Sequence, residues 1–406
     1  MKNRNSLKRH SFLFSFSLVF ISLLLVATAQ DLLSLENDEG PGLKKPKVNE
    51  QILRGIDLIY EREFDDAEDL FRKVIAKSQD KPAGYFYLAM VSWSRLASGF
   101  WSPVNVKEFK KRIDRAIEVA EARVDKDGAD SYDFFYLGGA LGFKGRFELM
   151  KGNWASSFFL ARDAIAALKI CSEMDPDNKD VLLGLGTFDY YTARLSGILK
   201  FLTYFLVHEG DIEKGLKKLT VASKEAIYSS TEAKTVLLYI YLFGEQDFTK
   251  ALDLSTELAE RYRKNPRFQV LLGVSYIRLE MDPQYRDMVS KLRLRSTEAS
   301  KREVAPMWEK RALYLESIYD LFHGLYPEAR SRLRKILDHK NPENDPTMIA
   351  WPLVKIGMSY ELENNRDEAK KYYAQVLNME NASGAQFVAE KLLESPLKKG
   401  EPFIGY

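Results

Sequence analysis

Small side chains recur in phase along this chain, and each recurrence sits where two helices would have to cross closely. In Leu353–Val376 the apolar and small residues Leu353, Ile356, Gly357 and Tyr360 fall at i, i+3, i+4 and i+7. That spacing places them on one stripe of an α-helix. Asn364-Asn365-Arg366-Asp367 then suits a turn leading into a helix cap. Ala369, Tyr373 and Val376 form the answering stripe of a second helix. Gly357 has no side chain, so a partner helix can approach there, and Ala369 lies opposite. One such hairpin cannot bury its own apolar face, so the pattern demands stacked neighbours.

The same register can be followed backward. Repeat 1 starts near Val48, with Gly55 small on helix A and Ala67 and Phe71 on helix B; Phe64-Asp65-Asp66 supplies its turn and cap. Repeat 2 starts 34 positions later at Pro82, with Tyr85, Leu88 and Ala89 on helix A and Ala116 and Ala120 on helix B. Repeat 3 starts near Ser131 (Phe134, Leu137, Gly138, then Ala164, Leu168, Cys171 and Pro176), and repeat 4 near Lys179 (Leu182, Leu185, Gly186, then Gly215, Leu219 and Ala222). Repeat 5 starts near Glu232 with Leu238, then Ala251, Ser255 and Leu258; it is off-pattern, because Tyr239 takes the small position. Repeat 6 starts at Pro266 with Leu272, Gly273 and Tyr276, then Tyr285, Val289 and Leu292, followed by a charged insertion over Arg293–Glu303. Repeat 7 carries Leu313 and Ser317, then Ala329, Leu333 and Ile336. Ala385–Leu393 reads as a terminal capping helix, and 395–406 as a tail.

These residues resemble the tetratricopeptide-repeat (TPR) superfamily, whose helical hairpins recur about every 34 residues, over roughly Val48–Val376. Tyr190–Leu219 is also similar to part of a eukaryotic TPR family implicated in inclusion-body clearance. The resemblance implies an all-α, right-handed α-solenoid of about eight hairpins. It also implies a protein or peptide partner bound on the concave face built by helix A, and no enzymatic activity.

In an unmodified unit the small residue of helix A precedes the helix-B alanine by 12 positions, as Gly55 precedes Ala67. In repeats 2, 3 and 4 the gaps are 27, 26 and 29. The 15, 14 and 17 extra residues fall between the paired helices. They predict elongated hairpins in repeats 2–4. The third insert, Ala193–Val207, is apolar on most sides, with only Arg194 and Lys200 charged. Two readings stand for it: a helix buried between neighbouring long hairpins, or an apolar surface for a partner or a membrane interface.

The N-terminus reads as a targeting segment. Lys2, Arg4, Lys8 and Arg9 precede an apolar run over Phe12–Val26, and Ala27-Thr28-Ala29 makes an A-x-A cleavage site. The run falls short of the roughly 20 residues that span a bilayer, and no cysteine follows it to carry a lipid. The expected organisation is a signal peptide over 1–29, a flexible Gly-, Pro- and charge-rich lead-in over 30–47, and a solenoid with its cap over 48–394. Export to a bacterial periplasm is the expected destination. Removing the four cationic and no acidic side chains of 1–29 moves the formal net charge from +2 to −2. A chain this close to neutral has no global pull toward nucleic acid.

Chemistry is sparsely supported. Only His208, His323 and His339 follow the leader, and no H-E-x-x-H or paired cysteine exists, so no metal or cofactor is expected. Cys171 is the only cysteine; it has no apparent histidine partner and occupies a small core position of helix B. Leu137–Gly145 is glycine-rich but lacks a preceding strand and the G-K-[ST] ending of a phosphate loop. Asp189 leans inward, where a carboxylate more often bonds a neighbouring tyrosine than performs catalysis. Lys291–Arg295 reads as a solvated basic face. The better candidates are aromatic: positions 2, 5, 9 and 12 of each repeat point to the concave face, and there stand Phe86, Met90, Trp93, Tyr132, Phe135 and Tyr190. Such anchors dominate binding when they meet a partner.

Overall fold

A computed structural model describes residues 49–194, 210–298, 305–338 and 345–397. The chain divides into two units, Met1–Lys47 and Val48–Tyr406, and every described residue lies in the second. The expected signal peptide, lead-in and most of 193–207 therefore fall outside the described residues, as do His208, His339 and the tail beyond Leu397.

The described residues are helical, with no strand among them, and the helices pair as the spacing predicts. Helices α1 (Glu50–Glu61) and α2 (Phe64–Lys77) form repeat 1. Repeat 2 is α3 (Pro82–Ala97) and α4 (Pro103–Val124); repeat 3 is α5 (Ser131–Met150) and α6 (Trp154–Met174); repeat 4 is α7 (Val181–Ala193) and α8 (Ile212–Glu225). Repeat 5 is α9 (Ser230–Tyr239) and α10 (Phe248–Arg261), and repeat 6 is α11 (Pro266–Arg278) and α12 (Asp282–Glu298). Repeat 7 is α13 (Ala305–Phe322) and α14 (Tyr326–Asp338), and repeat 8 is α15 (Thr347–Leu362) and α16 (Arg366–Leu377). Helix α17 (Ala385–Glu394) covers the last pair. This is an all-α solenoid in which each helix packs chiefly on its neighbours in sequence.

The small residues do what their phase requires. A side chain at Gly55 would run into Phe71, and one at Gly357 into Tyr373, each on the partner helix of the same repeat. A Cβ at Gly186 would lie 3.0 Å from the Gly215 carbonyl oxygen, and one at Gly138 would lie 2.7 Å from Leu168. Gly273 differs: it faces Leu315 of α13, so its missing side chain serves the next repeat rather than its own.

Local capping agrees with the turns. Asn365 accepts from the Glu368 N–H, and Asn364 ahead of it takes a left-handed φ of 61°. Asp130 and Asp133 close a reciprocal box at the start of α5. The turn before α2 departs from expectation: the cap position is Glu63, whose side chain makes no capping bond, and Asp65 and Asp66 sit inside the first turn. There they favour the positive end of the helix dipole. In repeat 5, where Tyr239 replaces a small residue, α9 relaxes into a π-helical turn over Ile240–Gly244.

The elongation is uneven. Helices α4, α5 and α6 run 22, 20 and 21 residues, against 12 and 14 in repeat 1. Helices α7 and α8 are 13 and 14 residues long, and the third insert lies almost wholly at 195–209, outside the described residues. The start of the charged insertion, 293–298, is not a loop but the last turns of α12.

An open groove is what the repeat pattern alone suggests, and the solenoid instead winds back onto itself. Tyr60 of α1 lies 5.2 Å from the Tyr262 ring and 6.1 Å from the Phe268 ring. Asp57 accepts from Arg261 at 2.9 Å and from the Tyr262 hydroxyl at 2.8 Å; Lys264 pairs with Glu63; Asn265 Nδ2 donates to the Tyr60 carbonyl at 3.1 Å. Arg62 reaches Met307 Sδ at 3.2 Å. On the other side, Lys151 at the tip of repeat 3 pairs with Glu380, and Trp154 meets Phe387 of α17 at 5.4 Å. Bulky aromatics on the inner faces of α1, α3 and α5 find enough apolar surface only if the repeats curl tightly around them.

Candidate functional site

The inner faces converge on one cavity of about 150 Å³. It is lined by Ile56, Ile59 and Tyr60 of α1, by Phe86, Tyr87, Met90 and Trp93 of α3, and by Phe135, Phe143 and Arg146 of α5. Leu183 of α7, Glu232 of α9, Arg267 of α11, Arg311 of α13 and Thr347 of α15 complete the wall, so helix A of every repeat contributes. Tyr228, Ser229 and Asn265 enter from the turns between repeats.

Four of the six candidate anchors stand on this wall. Phe86 meets Tyr87 edge-on at 5.0 Å and Phe143 at 6.2 Å. Trp93 packs on Phe143 at 5.7 Å and Phe109 at 5.5 Å, and the Arg146 guanidinium lies 5.3 Å over the indole. Met90 and Phe135 complete the set, and all four are under 9% exposed. Tyr132 and Tyr190 are not on the wall. Tyr132 donates to Asp180 at 3.1 Å and packs edge-on against Tyr228. Asp180 also accepts from the N–H groups of Tyr228 and Ser229 at 2.8 and 2.7 Å, which ties repeats 3, 4 and 5 together. Tyr190 is buried against Gly244, beneath the Arg194 guanidinium, and donates to Glu245 at 2.7 Å.

Burial raises the ionisation of Tyr60, Tyr87 and Tyr136 far above that of free phenol, and the Glu232 carboxylate adds to it at Tyr60. These hydroxyls stay protonated. Tyr60 uses its proton on Glu232. The wall carries four guanidinium groups, from Arg62, Arg146, Arg267 and Arg311, against one carboxylate, Glu232. Arg311 also pairs with Asp345 at 3.1 Å. The lining is therefore aromatic and rich in guanidinium groups.

The same positional rule that picked out the aromatics reaches further. Ile56 and Ile59 stand at positions 9 and 12 of repeat 1, Leu183 at position 5 of repeat 4, and Arg267 at position 2 of repeat 6. With the small residue Ser317 at position 8, Arg311 stands at position 2 of repeat 7. Reading only aromatic side chains at those positions missed them. Tyr60, Arg62 and Glu232 carry no such signal, since they lie at the seam.

The remaining sequence candidates resolve structurally. Cys171 is fully buried, 3.5 Å from Asn178 Nδ2, and burial pushes its thiol up to about 12. Leu137–Gly145 lies inside α5, with Gly139 against Phe86. Asp189 accepts from Lys218 at 2.6 Å. Lys291 pairs with Asp287 and Arg293 with Glu316, as a solvated face would. Among the described residues no group of three or more His, Cys, Asp or Glu is placed to hold a metal ion, and no helix is long and apolar enough to cross a membrane.

A tetratricopeptide-repeat family model matches residues 353–379, the α15–α16 hairpin and the turn after it. This hairpin is a tetratricopeptide repeat. Among solved structures, the chain is similar to the TPR domain of P58(IPK), at 18% identity and a TM-score of 0.21, covering 87% of this chain and 99% of that one. No curated protein sequence matches it. TPR folds serve as protein-interaction scaffolds.

Proposed function

We propose that this TPR protein is a non-enzymatic, exported scaffold that binds a protein or peptide partner through the inner, helix-A face. The observation that supports this most is the convergence of all eight A helices on one aromatic cavity. A partner would seat an apolar side chain there, in the manner of a buried hot spot. The size of the cavity favours one anchoring side chain over an extended segment. Export rests on the basic, apolar and A-x-A features of residues 1–29 alone; N-terminal sequencing of the native protein should give Gln30 first.

The test is cavity filling. Ser94→Phe adds a ring to the cavity wall from α3. It should abolish recovery of the co-purifying partner from native cells while leaving the melting temperature within a few degrees. Full recovery with the cavity filled would move the partner to another face. The rival reading, a membrane- or envelope-associated assembly factor using 193–207, predicts flotation of the cleaved protein with liposomes; the scaffold reading predicts none.

A further inference from the structure

We propose that the molecule works as a jaw: its two halves swing about the seam beside α7, the contact between the tip of repeat 3 and α17 parts, and the central cavity opens to take its occupant. The proposal rests on the reading of the cavity as the binding region, and adds the motion that gives access to it.

The described residues bury two apolar cores rather than one. The first draws on residues from Ile52 to Leu185, and the second on residues from Tyr190 to Leu397. Helix α7 carries the boundary, with Val181 and Leu185 in the first core and Tyr190 in the second. A small separate cluster of Ala222, Ala226 and Ala233 lies against Leu182 and Leu183 at that boundary. Halves that share little apolar surface move relative to one another by default, and hinge closure around an occupant is a common form of that motion. The cavity lies where the halves face each other. Phe86, Trp93 and Phe135 come from helices of the first core, and Arg267, Arg311 and Thr347 from helices of the second.

The two sides of this boundary are closed unequally. On one side runs a continuous row of bonds. Asp180 accepts from the Tyr228 and Ser229 N–H groups, the Tyr228 hydroxyl accepts from the Asn49 N–H at 2.9 Å, and Tyr60 donates to Glu232. Tyr60 packs against both cores, and the Tyr262 and Phe268 rings beside it are fully buried. On the other side, among the described residues, Lys151 pairs with Glu380 and Trp154 meets Phe387. The Glu380 side chain is 80% exposed and Trp154 is 42% exposed. An exposed ion pair holds little, whereas parting Tyr60 from Glu232 leaves a half-buried carboxylate without its donor. The repeat 3 side therefore yields first, and the Tyr60 side serves as the pivot.

Movement at that free edge reaches the cavity through α5. The same helix that sets Phe135, Phe143 and Arg146 in the wall ends beside Lys151. Phe86, Met90, Trp93 and Phe135 are buried in the closed form, so a side chain seats against them when the wall is drawn back.

The experiment measures distances by pulsed electron spin resonance on the full chain. One pair of spin labels, at Asp163→Cys and Glu390→Cys, spans the free edge; a second pair, at Arg54→Cys and Glu260→Cys, spans the pivot. All four positions are exposed, and the buried Cys171 stays unlabelled. The free-edge pair should show a longer distance beside the closed one, and Lys151→Glu should raise the share of the longer one roughly threefold or more. Trp154→Ala should act in the same direction, and the pivot pair should keep one distance throughout. A free-edge pair that holds a single distance in the parent and in both variants would overturn the jaw, as would a pivot pair that lengthens instead. Partner recovery lost with Ser94→Phe while the free edge never opens would remove the jaw and leave the scaffold reading. A free edge that opens while recovery ignores Ser94→Phe would remove the scaffold reading and leave the jaw.

Discussion

The hydroxyl of Tyr60 donates to Glu232 Oε2 at 2.6 Å across 172 positions of chain, joining helix A of the first repeat to helix A of the fifth. With the Tyr60–Tyr262–Phe268 ring contacts it makes a seam where a simple repeat array would have a gap. The two exposed ion pairs beside it, Arg261–Asp57 and Lys264–Glu63, add at most about 1 kcal/mol each.

Breaking that bond should therefore be costly and local. Tyr60→Phe leaves Glu232 without its donor and should lower stability by about 1.5–3 kcal/mol, the range for a hydrogen bond to a charged group. In a double-mutant cycle with Glu232→Gln the two effects should be strongly non-additive. Additive urea-unfolding energies would mean that the seam is not closed in solution.

The glycines predict opposite signs at two sites. Gly357→Leu would drive a side chain into the Tyr373 ring, and Gly186→Leu into the backbone oxygen of Gly215, which cannot step aside. Each should cost about 1–3 kcal/mol through overpacking. Gly142, within α5, has nothing nearer than the Ala164 Cβ at 3.9 Å. Gly142→Ala should stabilise by about 0.5–1 kcal/mol through helix propensity. Urea midpoints measured on the three variants check both signs.

Lys355 on α15 is 1% exposed, and burial, aided by the nearby Arg278 charge, lowers its amine to about 7. The folded value lies below the unfolded one of about 10.4, so the unfolded chain binds more protons between the two. Stability should then rise with pH across roughly 7–10, and the full penalty should hold below pH 7. Lys355→Met should stabilise by a few kcal/mol at pH 6 and by much less at pH 10. A constant gain across that window would show that the amine is not desolvated.

Glu68 behaves in the opposite sense. Burial alone would raise its carboxyl, but hydrogen bonds from Arg112 and Arg72 outweigh that and hold it at about 2. A depressed carboxylate stabilises above its unfolded value of about 4.3, and that contribution disappears as pH falls toward 2. Arg112→Met should cost on the order of 1 kcal/mol at pH 7 and little at pH 2.5. Thermal melts at the two pH values, compared with the parent, give the answer.

Periodicity made the hairpins legible because it reports contacts between neighbours. Gly55 and Phe71, or Gly357 and Tyr373, are 16 residues apart, and their fit is written in local spacing. The seam is different in kind. Whether Tyr60 meets Tyr262 depends on a small rotation per repeat summed over five repeats, and no single repeat carries that sum. For the same reason the candidate anchors could be placed on an inner face but not seen to enclose a space. Arg267 and Arg311 occupy the same inner positions, but local spacing does not distinguish a charge that faces an enclosed cavity from one that faces solvent. Repeat 5 was flagged by Tyr239, yet its answer, a π-helical turn, is a backbone adjustment that side-chain spacing does not encode.

The closed winding has a consequence for how such a chain can change length. An open array tolerates the loss or gain of a unit, but here repeat 1 is tied to repeats 5 and 6, so a unit added or removed between them would part Tyr60 from Glu232, Tyr262 and Phe268. Extra residues are accommodated instead at the bends within units, where the 20- and 21-residue helices of repeat 3 project far enough to meet the terminal helix. Added length is taken up at the periphery, away from the seam.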